Sequence, residues 1–276
     1  MISEKLALKV VIGFAVIYGA CTNLEIDGVT QRFWENMNSG LRTFPDLSVA
    51  NPTSFSFAAM GDTHIGSSSG GNVMARALQN SRADGDAFAV IAGDDSNTGI
   101  ESELTTFMAQ INASNHPVYP AIGNHDIFFG GWNNYKRIVG RSIYSFNVGN
   151  AHIIMLDSAN GTFGEDQLNW LRNDLKTTTK PIKIIVTHFP IFSGEFSTLF
   201  KLSSDEEATV FKSIMREYSV KLVIGGHYHG YSEQVIGGTR YLVTGACNNI
   251  LDIGNRVGYV KVVINGSEIA IRQVNL

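Results

Sequence analysis

Short apolar runs alternate with amphipathic stretches from residue 55 to the C-terminus. Apolar residues bunch at 55–60, 87–92, 118–122, 182–186 and 220–224, the length of buried strands. Between them the apolar spacing changes to three and four. Leu104, Phe107, Met108 and Ile111 give 101–113 one apolar face, and Leu168, Leu171 and Leu175 do the same for 165–176. Further helices are predicted over 73–82 and 205–218, the second with Ser204 or Asp205 as N-cap. A hairpin is expected at 143–148 and 152–156 around Gly149-Asn150. Strand-like runs follow at 232–236, 241–244, 257–264 and 268–274. Strands alternating with helices predict the α/β class.

The first 53 residues read differently. Residues 10–20 are almost wholly apolar, too short to span a bilayer comfortably, and fit the core of a signal peptide over 1–20. The run ends Tyr18-Gly19-Ala20-Cys21. Small residues directly before a cysteine resemble a bacterial lipoprotein cleavage site, which would leave Cys21 as a lipidated N-terminus and place the protein, exported, at a membrane or envelope. Tyr18 stands where an aliphatic is usual, and Glu4 is atypical of the charged leader. Ordinary secretion, an uncleaved anchor and a buried N-terminal helix therefore stay open as other readings. The rest of 21–53 is polar, with Asn, Gly, Ser and Pro scattered through it. It reads as a tether with one short helix near 30–37, whose Phe33 and Trp34 can pack, with Phe44, on a domain spanning 54–276.

The 276-residue chain is 44% hydrophobic and 17% charged, a globular balance. Net charge is −4 with no basic run, which argues against a dedicated nucleic-acid surface but not against a small phosphorylated ligand. The two cysteines, Cys21 and Cys247, make no disulfide framework; Cys247 reads as a buried thiol.

The chemistry lies where the predicted strands end. Asp62-Thr63-His64 follows the first, Gly93-Asp94-Asp95 the second, and Gly123-Asn124-His125-Asp126 the third. Thr187-His188-Phe189-Pro190 and Gly226-His227-Tyr228-His229 follow two later ones. Open α/β sheets bind ligands in the crevice beyond their strand ends. Carboxylates, an amide and imidazoles gathered there suit two divalent cations of the Mn, Fe or Zn kind rather than Mg or Ca alone.

In this order the five segments resemble the calcineurin-like metallophosphoesterase superfamily, with the motifs Asp-x-His, Gly-Asp, Gly-Asn-His-Asp, His and Gly-His-x-His, over the chain from about Phe55 onward. The resemblance implies a four-layer αββα sandwich of two mixed β-sheets flanked by helices. It implies that Asp62, His64, Asp94 and His229 hold one metal and that Asp94, Asn124, His188 and His227 hold the other, with Asp94 bridging. It further implies hydrolysis of a small phosphomonoester or phosphodiester by metal-activated hydroxide, His125 assisting the leaving group. Asp126 is expected to orient His125. Asp95 reads as structural or as a support to the ligands, and His116 and His152 as structural. Trp132, Asn133 and Tyr135 read as packing or as pocket lining. Purple acid phosphatases carry a tyrosine ligand where Asn97 stands here, and protein phosphatases an arginine that 95–99 lacks, so bacterial cyclic-nucleotide phosphodiesterases and related small phosphoesterases are the nearer resemblance. An inactive member of the fold, serving as a binding scaffold at the envelope, is the alternative.

Overall fold

The computed structural model describes residues 28–68, 70–192, 200–248 and 257–276. The expected signal segment and Cys21 lie outside them. Among the described residues no helix is long and apolar enough to cross a membrane.

Two sheets face each other. In the first, β1 (Ser54–Met60), β2 (Phe88–Ala92) and β3 (Val118–Ala121) run parallel, while β10 (Gly258–Asn265) and β11 (Glu268–Asn275) extend the β1 edge antiparallel. In the second, β5 (Ala151–Met155), β6 (Ile182–Val186), β7 (Leu222–Gly225) and β9 (Thr239–Thr244) run parallel. Its edges are β4 (Tyr144–Val148) and β8 (Tyr231–Ile236), both antiparallel to their neighbours.

Each inner strand is apolar on both faces because both faces are covered. Phe57, Phe88 and Val90 of one sheet meet Phe146, Ile184 and Leu222 of the other in the central layer. On the outer face of the first sheet, Ala58, Met60 and Ile91 pack under α2 (Gly70–Ala83), α3 (Glu101–Ser114) and α4 (Gly131–Ile138). On the outer face of the second, Ile154, Ile185 and Val223 pack under α5 (Glu165–Thr177) and α6 (Asp205–Glu217). The fold is the expected mixed α/β sandwich, helices outside and sheets inside. Ser204 caps α6, its side chain accepting the Glu207 N–H.

The stretch before β1 is not a free tether from residue 29 onward. Helix α1 (Val29–Asn38) lies on the domain, and its Arg32 makes two 2.7 Å bonds to the Asp157 carboxylate with both side chains fully buried. Asn36 accepts the Ser142 N–H at 2.9 Å. Farther on, Phe44 stacks on Tyr144 at 4.3 Å, and Leu47 bridges Val148. Composition marks this stretch as polar, but Arg32 and Asn36 are buried anchors rather than solvated side chains.

Candidate dimetal centre

All the strand-end segments converge on one edge of the sandwich. Asp62 and His64 follow β1, Asp94 follows β2, and Asn124 and His125 follow β3. His188 follows β6 and the two histidines of Gly-His-Tyr-His follow β7. The first sheet thus supplies the carboxylates, the amide and the His64 imidazole, and the second supplies three further imidazoles across the gap.

The backbone there is bent out of its ordinary wells. Asp62, His64, Asp94, His227 and His229 all have positive φ, between 43° and 66°. Such conformations cost about 1–3 kcal/mol each and persist where their surroundings over-determine them. The surroundings do so. The Asp62 N–H donates to Gly93 O at 3.0 Å and the His64 N–H to Asp94 O at 2.9 Å. The His227 N–H donates to the Asp62 carboxylate at 2.9 Å, and the Asn248 amide donates to the Asp62 carbonyl. Two glycines make the approach possible. A Cβ on Gly123 would sit 2.2 Å from the Asp94 N and Oδ1, and one on Gly93 2.7 Å from the His188 Nδ1.

Ligand atoms of Asp62, His64, Asp94 and His229 lie within 4.8 Å of one another, and so do those of Asp94, His188 and His227. Asp94 belongs to both groups. His188 shows why cations fit. Its Nδ1 lies 2.8 Å from Ala92 O, a bond that places the proton there and leaves a lone pair on Nε2. That lone pair faces Asn124 Oδ1 at 2.9 Å, His227 Nδ1 at 3.2 Å and Asp94 Oδ1 at 3.4 Å. Near the other group, His64 Nε2 is 3.3 Å from His229 Nε2 and 3.5 Å from Asp94 Oδ2, and His229 Nε2 is 3.4 Å from Asp62 Oδ1. Four ligands about 2.1 Å from one ion stand roughly 3.4 Å apart. These electron-rich atoms are spaced as ligands around cations.

Burial and neighbouring imidazoles, His125 chief among them, hold the His64 pKa well below its ordinary value. Burial, then His188, does the same for His227. Both rings are therefore neutral at pH 7, the form that ligates.

His125 sits at the rim, its side chain 26% exposed and its Nε2 4.0 Å from Asp94 Oδ2. The expected pairing with Asp126 is not formed. His125 Nδ1 instead lies 2.7 Å from the Asn97 carbonyl. Asp126 points inward, where its carboxylate accepts the N–H groups of Gly123, Asp95 and Ser96 and the Ser96 hydroxyl, all between 2.7 and 3.1 Å. It ties the loops after β2 and β3 together. Burial raises its pKa to about 6 despite those bonds. Asp95 lies behind the ligands, where burial, Asp126 and Asp94 push its carboxyl well up; its carbonyl accepts the Thr63 hydroxyl at 3.0 Å.

Other residues fall where packing puts them. Trp132 and Tyr135 are fully buried in the layer over the first sheet. His116 meets Ser81 at 3.2 Å and His152 meets Asp174 at 2.7 Å, both away from the cluster. Cys247 is buried and reduced, its thiol pushed up to about 12 by burial. Two supports escaped sequence reasoning. Asn97 acts through a main-chain carbonyl, which no side-chain pattern signals. Ser158 bonds the backbone of the His188 turn; its place just past the end of β5 was the available signal.

Residues 55–231 match the family described as calcineurin-like phosphoesterase. A Fibrobacter succinogenes protein named as a probable cyclic nucleotide phosphodiesterase is 26% identical over 149 residues, 51% of this chain and 56% of that protein. An Arabidopsis thaliana protein named as a probable purple acid phosphatase is 35% identical over 92 residues, 32% of this chain and 22% of that one. The matches thus span about half or less of those relatives. Among solved structures, purple acid phosphatase PPD1 from yellow lupin (Lupinus luteus) superposes with a TM-score of 0.67 at 15% identity, over 80% of this chain and 51% of that one.

Proposed function

Because this chain belongs to the calcineurin-like phosphoesterase family, and so to the phosphoric ester hydrolases, we propose that it cleaves small phosphomonoesters or phosphodiesters at a pair of divalent cations. Asp62, His64, Asp94 and His229 would hold one ion, and Asp94, Asn124, His188 and His227 the other. The observation that carries this reading is the Asp94 carboxylate, whose Oδ1 and Oδ2 face different imidazoles, His188 at 3.4 Å and His64 at 3.5 Å. Two such ions supply charge neutralisation at the phosphoryl oxygens and activation of water.

The chain's own contribution is positioning and one proton. Asn97 O accepts from His125 Nδ1 and fixes the ring. A protonated His125, whose Nε2 lies 4.0 Å from Asp94 Oδ2, would then give its Nε2–H proton to the departing alkoxide. Asp126 supports this step at one remove, by holding the loops that carry Asp94 and His125. Two mixed N/O ligand sets favour Mn, Fe or Zn.

The test is to strip the protein with chelator, reload it with Mn²⁺ or Zn²⁺, and assay aryl phosphate monoester and diester in parallel, with Asp94→Asn as control. Turnover that returns with metal and is missing in the control supports the reading. Stoichiometric metal with no turnover on any ester would overturn it in favour of a binding scaffold.

We also propose export and membrane attachment through a lipidated Cys21, on the Gly19-Ala20-Cys21 sequence. Cys21→Ser should move the protein from the membrane to the soluble fraction. Unchanged attachment would remove the lipid from the account.

A further inference from the structure

We infer that Phe129, backed by Phe128, is a stacking wall for a planar aromatic leaving group, so that esters carrying an aryl ring or a nucleobase are favoured over those of small aliphatic alcohols. This rests on the phosphoesterase reading of the adjacent cluster and adds to it the chemical class of the alcohol. The location comes from His125. If that ring protonates the leaving oxygen, the group on that oxygen lies on the His125 side of the site. There the Phe128 ring is 4.7 Å from the His125 ring, tilted 47°, and the Phe129 ring stands edge-on to Phe128 at 6.4 Å. Phe129 is 65% exposed.

Two features separate this Phe from an incidental surface residue. Its backbone is left-handed, φ 53° and ψ 36°, a conformation that a bulky side chain adopts only under constraint. The constraint is visible on both sides. Asp126 is fixed by its three loop N–H groups, and the Gly131 N–H donates to Phe128 O. Gly99 also lies so close that a Cβ there would be 3.0 Å from Phe128 O. The loop therefore holds a large apolar ring in water, in an unfavourable conformation, against the Phe128 ring that itself adjoins His125. Strain kept at such a place is a mark of function, and an exposed rigid ring gains by stacking on another aromatic.

The opposite end of the cluster differs. There Phe189 covers the His227 ring at 3.8 Å, so its aromatic surface is spent on the imidazole. Phe129 has no such partner ring above it among the described residues.

The experiment compares metal-loaded wild type with Phe129→Ala and with Phe129→Asn, since Asn tolerates the left-handed backbone. Specificity constants are measured on phenyl phosphate, adenosine monophosphate and glycerol phosphate, together with calorimetric binding of phenylphosphonate and methylphosphonate. Both variants should lower the ratio of aromatic to aliphatic ester by about 5- to 10-fold, mainly through KM. They should weaken phenylphosphonate relative to methylphosphonate by a similar factor. A loss confined to phenyl phosphate or to the nucleotide identifies which aromatic is held. Equal loss on all esters, or none, overturns the wall. If wild type turns over no ester, the phosphoesterase reading fails, and the two phosphonates still decide whether Phe129 discriminates.

Discussion

The Ser158 hydroxyl oxygen accepts the main-chain N–H of His188 at 3.2 Å. The same oxygen accepts the Phe189 N–H at 2.8 Å and exchanges a 2.8 Å bond with the Thr187 hydroxyl. One side chain from the end of β5 thereby fixes three consecutive residues of the turn that aims a ligand. Supports of this kind typically govern metal affinity by 10- to 100-fold. Ser158→Ala should weaken the second cation by about 10- to 100-fold and stability by about 1–3 kcal/mol. Calorimetric metal titration and urea unfolding read the two effects separately.

His125 should separate from the ligands in the same assay. His125→Ala is expected to lower kcat by ~10²–10⁴ while two metals per chain are retained, because its ring stands at the rim and Nδ1 is held by Asn97. Loss of metal along with activity, read by elemental analysis, would assign the ring to the cation set instead.

Asp126→Asn should act on folding before chemistry. The carboxylate accepts several donors at once, and an amide would turn an N–H donor toward one of them. A loss of about 1–3 kcal/mol is expected in chemical unfolding. Among the molecules that remain folded, the shape of the pH profile of kcat should be kept, since the His125 ring is held by the Asn97 carbonyl rather than by Asp126.

The buried imidazoles set a pH dependence. His64 and His227 have folded pKa values well below 6.5, so from about 6.5 downward the unfolded chain takes up protons that the folded one refuses. Their contribution to stability is complete above 6.5 and is lost as pH falls toward the folded values. Asp126 works in the opposite sense. Its pKa rises from 3.8 to about 6 on folding, so its contribution declines as pH rises through that window. His227→Gln isolates the imidazole part: unfolding free energies measured below pH 6.5 should fall less steeply with acid in that variant than in wild type.

The helix at the start of the described chain should matter to stability far more than its polar sequence suggests. Arg32→Met leaves the Asp157 carboxylate buried without its cation. Breaking such a pair from one side costs about 3–5 kcal/mol, which thermal or urea unfolding would show directly.

Much of this was legible because ligand chemistry is local. Asp62, Asp94, Asn124, His188, His227 and His229 each stand in a short segment after an apolar run, and strand ends point where an α/β crevice lies. The helices other than α4 (Gly131–Ile138) were legible in the same way. What failed was non-local or depended on direction. Val260 pairs beside Ala59, two hundred residues away in sequence, a partnership that periodicity cannot specify. His125 and Asp126 are adjacent in sequence, yet successive residues on a helical turn face different ways, and the ring found a carbonyl instead. Arginine normally counts as an exposed residue, so Arg32 gave no sign that its segment is clamped to the domain.

The division of the ligands between two sheets has a mechanical meaning. Asp62, Asp94 and Asn124 are fixed to one slab and His188, His227 and His229 to the other, and the apolar layer between the slabs, together with the few hydrogen bonds that cross at the site, sets the gap. Phe57, Phe88 and Val90 against Phe146, Ile184 and Leu222 therefore serve as a caliper. Thinning that layer by a methylene would alter ligand spacing at the far edge, and a cation bound there would rivet the slabs together. Variation in metal preference among proteins built this way can then arise in the oily interior, with every ligand unchanged.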